Sequence, residues 1–317
     1  MNSASKYNHA PARTAPRILN LSTVTVESKA GASWFRDLLA LTKARVNIFV
    51  IATAFVGFAL NAGILQNWLL LLHTLIGTGL VAGGAAVANQ ALEQQFDRNM
   101  IRTRNRPLAA GRLPRRTAVI FSSALLGAGC LWLGIAVNSR AMSLAFLTFL
   151  IYAFVYTPLK RRTPTCTLVG AIAGALPILV GWAATGADFD IWTAVAFGIL
   201  LLWQIPHFLA IAWWRKADYS RAGFHVLRHD DNQGYQAAGW ALAFTVAMIG
   251  VSLVPFFTHR VGVWYFLTGL ALGAGILLRS IQFLVRRNEV AARSLFIASL
   301  LYLPCLYFLM LLSRHTI

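Results

Sequence analysis

The chain has 317 residues, 58% of them hydrophobic and 12% charged, and its 28 lysines and arginines outweigh 10 acids to give a net charge of +18. An ordinary soluble domain carries roughly twice that charged fraction. The apolar residues here also fall in runs of about 17–24, the length that crosses a hydrocarbon core, so two soluble domains are excluded in favour of one bundle in lipid. The basic residues flank those runs, where they set topology and meet anionic headgroups, which argues against nucleic acid as their partner.

Residues 1–33 read as a disordered cytoplasmic tail, and 34–317 as a single transmembrane domain. The tail has no apolar stretch before a small-residue cleavage site and is not a signal peptide. It is basic and poor in acids, which also suits a transit peptide. Its shortness favours a bacterial plasma membrane over the mitochondrial inner membrane. Trp34 to Leu41 reads as a short amphipathic segment lying at the interface. Spans are then predicted at 45–64, 68–92, 117–137, 141–158, 166–186, 191–213, 237–257, 262–284 and 294–313. The fold class is therefore an all-α membrane protein with nine helices. Outside the tail, 21 basic residues lie in the connections of one side and 3 on the other. The positive-inside rule puts the N-terminus in the cytoplasm, and nine spans put the C-terminus outside.

The first span is preceded by Lys43 and Arg45. At the end of the second, Asn89, Glu93 and Asp97 recur at four-residue steps, so they line one face of a helix. Acids in or near hydrocarbon are costly and usually functional. An amide and two carboxylates on one stripe suit a hard cation such as Mg²⁺, which takes its other ligands from water and substrate phosphates. Arg102, Arg104 and Arg106 follow directly, and guanidinium groups bind phosphate oxygens bidentately. Together they fit a metal-bridged diphosphate. The alternative is a salt-bridged helix end. After the fourth span, Tyr156 to Pro164 carries Lys160, Arg161 and Arg162, which anchoring alone would also explain.

The sixth span holds Pro206, expected to kink the helix, beside His207, either a hydrogen-bonded core residue or a ligand. Asp218 emerges at its cytoplasmic end and is expected to face Asp97 across a second metal site or to pair with Arg215 or Arg221. His225, His229, Asp230 and Asp231 make zinc conceivable, but their spacing does not support it. Cys130, Cys166 and Cys305 read as packing residues.

Taken in order over about residues 36–313, these motifs resemble the UbiA-type intramembrane prenyltransferase superfamily. The first motif is matched by Asn89, Glu93 and Asp97, with Glu93 where Asp is common. Within the superfamily the resemblance is to the branch that farnesylates haem b. It is carried by Leu41-Thr42-Lys43-Ala44-Arg45 (Ala44 where Pro is usual), Arg102 to Leu108 with Ala110-Gly111-Arg112, Tyr156 to Pro164, Gly174 to Pro177 with Gly181-Trp182, Trp203 to Phe208, and Asp218-Tyr219 with Ala222-Gly223. Ala222 stands where quinone-type relatives often have another acid, which thins the second metal site. The resemblance implies nine helices and two acid-bearing cytoplasmic loops that bind an isoprenyl diphosphate through Mg²⁺. It further implies transfer of farnesyl from farnesyl diphosphate to a vinyl group of haem b, giving haem O. Asn89, Glu93, Asp97 and Asp218 would be metal-binding and catalytic, Lys43, Arg102, Arg106 and Lys160 would meet the diphosphate, and His207 would contact the haem. Haem A synthase or oxidase assembly factors are the implied protein partners. Rival readings are a prenyltransferase for a quinone or chlorophyll precursor and a transporter whose acids line an ion path.

Overall fold

A computed structural model describes residues 26–313 apart from 63, 65, 66, 225, 229, 230 and 232. It divides into two units, Met1–Arg36 and Asp37–Ile317. The helices are α1 (Val26–Leu41), α2 (Ala44–Asn61), α3 (Trp68–Asp97), α4 (Arg115–Ala136), α5 (Ser139–Leu159), α6 (Cys166–Ala184), α7 (Ile191–Trp214), the short α8 (Lys216–Arg221), α9 (Tyr235–Phe257), α10 (Val263–Arg286) and α11 (Glu289–Leu312). Nine of these, α2 to α7 and α9 to α11, are long and apolar enough to cross a membrane among the described residues. The protein is a multi-pass membrane protein, and each predicted span corresponds to one helix. α1 begins at Val26, so residues 26–33, expected in the tail, are helical here. That stretch has no proline to interrupt a helix. Residues 1–25 of the expected tail lie outside the described residues.

In the larger unit, sequence neighbours pack on one another from α2 to α7 and from α9 to α11. α7 packs against α6, α9 and α11, and α2 packs on α6. α6 is the most enclosed span, 72% buried in its apolar window, whereas α4 and α5 are 22% buried there and present their apolar faces outward. The composition of α6 explains its place. Small side chains let transmembrane backbones approach closely, and α6 carries Gly170, Ala171, Ala173, Gly174, Ala175 and Gly181. At the crossing with α2 the approach is extreme. A Cβ on Gly57 would lie 1.9 Å from the Ile178 carbonyl oxygen, and one on Gly181 would lie 1.8 Å from that of Ala54.

Two local features position the site. α3 runs 30 residues, five beyond the predicted span, and so carries Glu93 and Asp97 as part of a continuous helix. α5 contains a π-helical stretch, Ile151–Tyr156, closed where the Thr157 N–H donates to the Tyr152 carbonyl five residues back. Such insertions often mark functional sites. α7 runs as one helix through Pro206 to Trp214.

Candidate active site

Asn89, Glu93 and Asp97 occupy the last three turns of α3 and are 1%, 4% and 2% exposed. Buried polar groups need partners, and each of the three is met by one cation. The Lys43 ammonium donates to Asn89 Oδ1 at 2.8 Å. The Lys160 ammonium donates to Glu93 Oε1 at 2.9 Å. The Arg106 guanidinium donates through Nη1 to both oxygens of Asp97, at 2.9 and 2.7 Å. Asn89 turns its amide N–H to Thr157 Oγ1 at 3.1 Å, which leaves its carbonyl oxygen for the lysine. Three segments far apart in sequence thus converge on one helix face.

The backbone sets each cation. Lys43 sits between α1 and α2 in the left-handed region (φ 51°, ψ 47°), which a non-glycine residue adopts only at a cost the surroundings must offset. The hinge is held there by Gln90, whose side chain donates to the Leu41 carbonyl at 2.6 Å. Arg106 is delivered by a tight loop that Thr103 closes, its hydroxyl donating to the Asp97 carbonyl at 2.9 Å. Lys160 follows the π-helical stretch and lies 4.5 Å from the centre of the Tyr156 ring.

The electrostatics of the two lysines differ. Lys43 faces a neutral amide, and burial, with the Arg106 charge next in weight, pulls its ammonium down to about 7. Burial also opposes the charge on Lys160, but the Glu93 carboxylate beside it outweighs that and holds the ammonium above its ordinary value. The site therefore contains one cation with a full counter-charge beside it and one short of charge compensation.

The loop after α7 meets the loop after α3. Met100, Ala222 and Phe224 are buried together with Phe96 and Tyr219 packed on them. The Phe96 and Phe224 rings lie 5.7 Å apart, and Phe224 is 5.9 Å from the Lys160 ammonium. Asp218 is buried but takes the Arg221 guanidinium at 2.5 Å, the loop pairing that its sequence context left open. Among the described residues no three His, Cys, Asp or Glu side chains gather as a metal-binding set, so Asp218 does not join Glu93 and Asp97. The donors that α3 does offer, one amide and two carboxylate oxygens on one face, are hard ligands of the type Mg²⁺ takes when substrate phosphates complete its shell.

Arg102 is exposed and, among the described residues, makes no hydrogen bond or ion pair. His207 is buried between α7 and α11. Its Nδ1 lies 2.8 Å from Ser299 Oγ, and its ring stacks on Trp203 at 4.6 Å and meets Phe296 at 4.9 Å. These contacts are those of a satisfied core histidine. His225, His229 and Asp230 lie outside the described residues, and Asp231 accepts from the Gln236 and Ala237 N–H groups at the start of α9. Sequence reasoning placed Thr157 in the Tyr156 to Pro164 motif without a role of its own and passed over Tyr152 and Phe224. Only Thr157 had a signal, the polar residue next to Lys160 at the end of an apolar run.

Residues 50–309 match the model of the UbiA prenyltransferase family. Two similar proteins are the protoheme IX farnesyltransferases of Solibacter usitatus (40% identical, covering 88% of this chain and 99% of that protein) and Aromatoleum aromaticum (35% identical, 94% and 98%). The chain belongs to the UbiA prenyltransferase family, among its protoheme IX farnesyltransferases. Solved structures agree on the fold. A digeranylgeranylglyceryl phosphate synthase superposes with a TM-score of 0.73 at 17% identity, covering 88% of this chain and 98% of that one. A UbiA homolog from Archaeoglobus fulgidus bound to GPP and Mg²⁺ superposes with 0.58 at 16%, covering 87% and 100%. The family makes this a prenyl-transferring enzyme. The rival reading as a transporter loses its footing, since Glu93 and Asp97 close one end of α3 beside three cations instead of lining a path near the midplane.

Proposed function

We propose that the chain transfers the farnesyl group of farnesyl diphosphate to a vinyl group of haem b, yielding haem O, with its catalytic face toward the cytoplasm of a bacterial plasma membrane. The observation that carries the reading is the set of three oxygen ligands on α3, each covered by a cation from another segment. Asn89, Glu93 and Asp97 would hold Mg²⁺, with Asp218 a candidate for a second ion. The metal would supply charge neutralisation at the diphosphate and act as a Lewis acid on the leaving group.

The protein's own side chains do the rest. When a diphosphate arrives with its counter-ion, Lys43, Lys160 and Arg106 exchange α3 oxygens for phosphate oxygens, and Arg102 lies within the same loop to close over it. Lys43 gains most, because a dianion restores the charge its present surroundings disfavour. These cations stabilise the negative charge that grows on the leaving diphosphate as the allylic C–O bond breaks with its electron pair. The allylic cation left behind is captured by the vinyl double bond of the haem. Water adds to the resulting benzylic-type cation and gives up a proton, completing a hydroxyethylfarnesyl side chain. Tyr156 and Phe224 stand beside Lys160, with Tyr152 packed on Tyr156, and their ring faces would favour a nearby cation. His207 is a candidate for contact with the haem, through exchange of its Ser299 partner.

The test is to incubate the purified protein with haem b, farnesyl diphosphate and Mg²⁺ and identify the product by mass. Haem O should form, and Asp97→Asn should lower the rate by about 100-fold or more, the scale of one lost charge-stabilising group. Near-normal turnover of Asp97→Asn at limiting Mg²⁺ would sink the metal role, and absence of a farnesylated haem with wild-type protein would sink the reaction.

A further inference from the structure

Asn89 differs from Glu93 and Asp97 in one respect. A carboxylate presents an oxygen at either end, whereas an amide presents an oxygen at one end and two N–H donors at the other. As a ligand for a cation, Asn89 is therefore usable in only one of its two orientations. Thr157 is placed to decide between them. Its hydroxyl carries one proton, which it donates to the Tyr152 carbonyl at 2.8 Å. Its backbone N–H goes to the same carbonyl, five residues back, at the close of the π-helical stretch. With its proton engaged, Thr157 Oγ1 can only accept, and it accepts from Asn89 Nδ2 at 3.1 Å. The other end of the amide meets a group that can only donate, the Lys43 ammonium, 2.8 Å from Oδ1. Lys43 also interacts with the charges of Glu93 and Asp97, so the amide oxygen is turned toward the carboxylates. Thr157 and Asn89 are each 1% exposed, which keeps bulk water from these bonds.

The bonds form one chain of fixed direction, from Lys43 through Asn89 and Thr157 to the Tyr152 carbonyl. In a regular α-helix a threonine hydroxyl bonds a carbonyl three or four residues back. Here the widened turn offers the carbonyl five back, so the same turn that precedes Lys160 also aims the Thr157 hydroxyl. We infer that Thr157 is a positioning residue, which holds the Asn89 amide with its oxygen toward Glu93 and Asp97 as a metal ligand; the inference rests on the metal reading above. Lys43 does not suffice for this. In the proposed reaction it turns from Asn89 to a phosphate oxygen, and Thr157 is then the partner that keeps the amide from flipping. A flipped amide would set two N–H donors against the cation and remove one ligand. Hydrogen bonds that orient a metal ligand from behind typically change metal affinity or activity by roughly 10- to 100-fold.

The test reads metal binding directly. Purified full-length protein is mixed with farnesyl diphosphate in the absence of haem and titrated with Mn²⁺, whose free fraction is followed by electron paramagnetic resonance. Thr157→Val keeps the shape and removes the acceptor, so the apparent Kd for Mn²⁺ should rise by about 10-fold, while the KM for haem b should not move. Thr157→Ser restores the hydroxyl and should stay close to wild type. Thr157→Cys, with a sulfur that accepts weakly, should fall between the two and serves if Thr157→Val does not fold. Asn89→Asp presents oxygen at both ends, so adding Thr157→Val to it should raise the Kd no further. A Kd unchanged in Thr157→Val, or raised equally in the Asn89→Asp background, would overturn the positioning role while sparing the metal reading. Absence of saturable Mn²⁺ binding to wild-type protein would overturn both.

Discussion

Glu93 and Lys160 form a pair that is 5% and 15% exposed, and removing one partner of such a pair strands the other. Breaking a buried ion pair from one side costs about 3–5 kcal/mol, while replacing both partners by neutral groups is often close to neutral. Glu93→Gln should therefore lower the thermal stability of the detergent-solubilised protein, and Glu93→Gln with Lys160→Met should recover most of it. Haem O formation should stay lost in both. A double variant that regained activity along with stability would make the pair structural only. The acids themselves were legible in the sequence, because a four-residue step of oxygen ligands in an apolar chain has few other uses. Which cation meets which acid was not. Lys43 and Lys160 lie 46 and 67 positions from their partners, and only the folded bundle brings them together. Asp218 shows the converse limit. Its sequence context allowed either a second metal site or pairing with a neighbour, and the structure shows the pairing, with Arg221 one helical turn away.

The spans were equally legible as elements, since hydropathy over about 20 residues reports the thickness of the bilayer. Their ends were less so. The extra turn of α3 is polar, and the π-helical stretch of α5 has no compositional mark at all. That stretch has a consequence that can be measured. Deleting Ala153 should convert it to regular helix with the flanking residues close to their present register, removing the widened turn and the bond from the Thr157 N–H to the Tyr152 carbonyl that shape the approach to Lys160. The variant should insert and remain folded but lose haem O formation, and retention of activity would show that the widened turn is not functional. The α2–α6 crossing gives a second prediction. Gly57→Ala and Gly181→Ala force a methyl group into a backbone carbonyl, and overpacking of this kind costs about 1–3 kcal/mol. Gly239, in α9, has open space around its Cα, so Gly239→Ala should be neutral or slightly stabilising through helix propensity alone. Thermal unfolding of the three variants in detergent checks the contrast. Equal effects at all three sites would mean that the α2–α6 contact is looser than it looks.

At the scale of the whole molecule, one end of the bundle carries both the positive charge and the chemistry. Lys43, the loop after α3, the end of α5 and the loop after α7 all emerge there, and they supply most of the 21 basic residues assigned to one side. Charge that orients a membrane protein is ordinarily dispensable residue by residue. Here Arg106 and Lys160 are spoken for by buried acids and Lys43 by a buried amide, so orientation must rest on the remaining, solvent-facing basic residues. The opposite end has a different character, with Arg140 paired to Asp188 at 3.0 Å and Arg260 to Asp190 at 3.5 Å, which leaves it little net charge. The predicted orientation follows from that asymmetry and can be read directly. In a background with Cys130, Cys166 and Cys305 replaced by serine, a cysteine is introduced at the exposed Arg102 or at the exposed Asp188. A membrane-impermeant maleimide applied to intact cells should label Asp188→Cys and leave Arg102→Cys untouched until the cells are opened. The reverse pattern would put the carboxylate face outside, away from cytoplasmic farnesyl diphosphate, and the proposed reaction would then lack its donor.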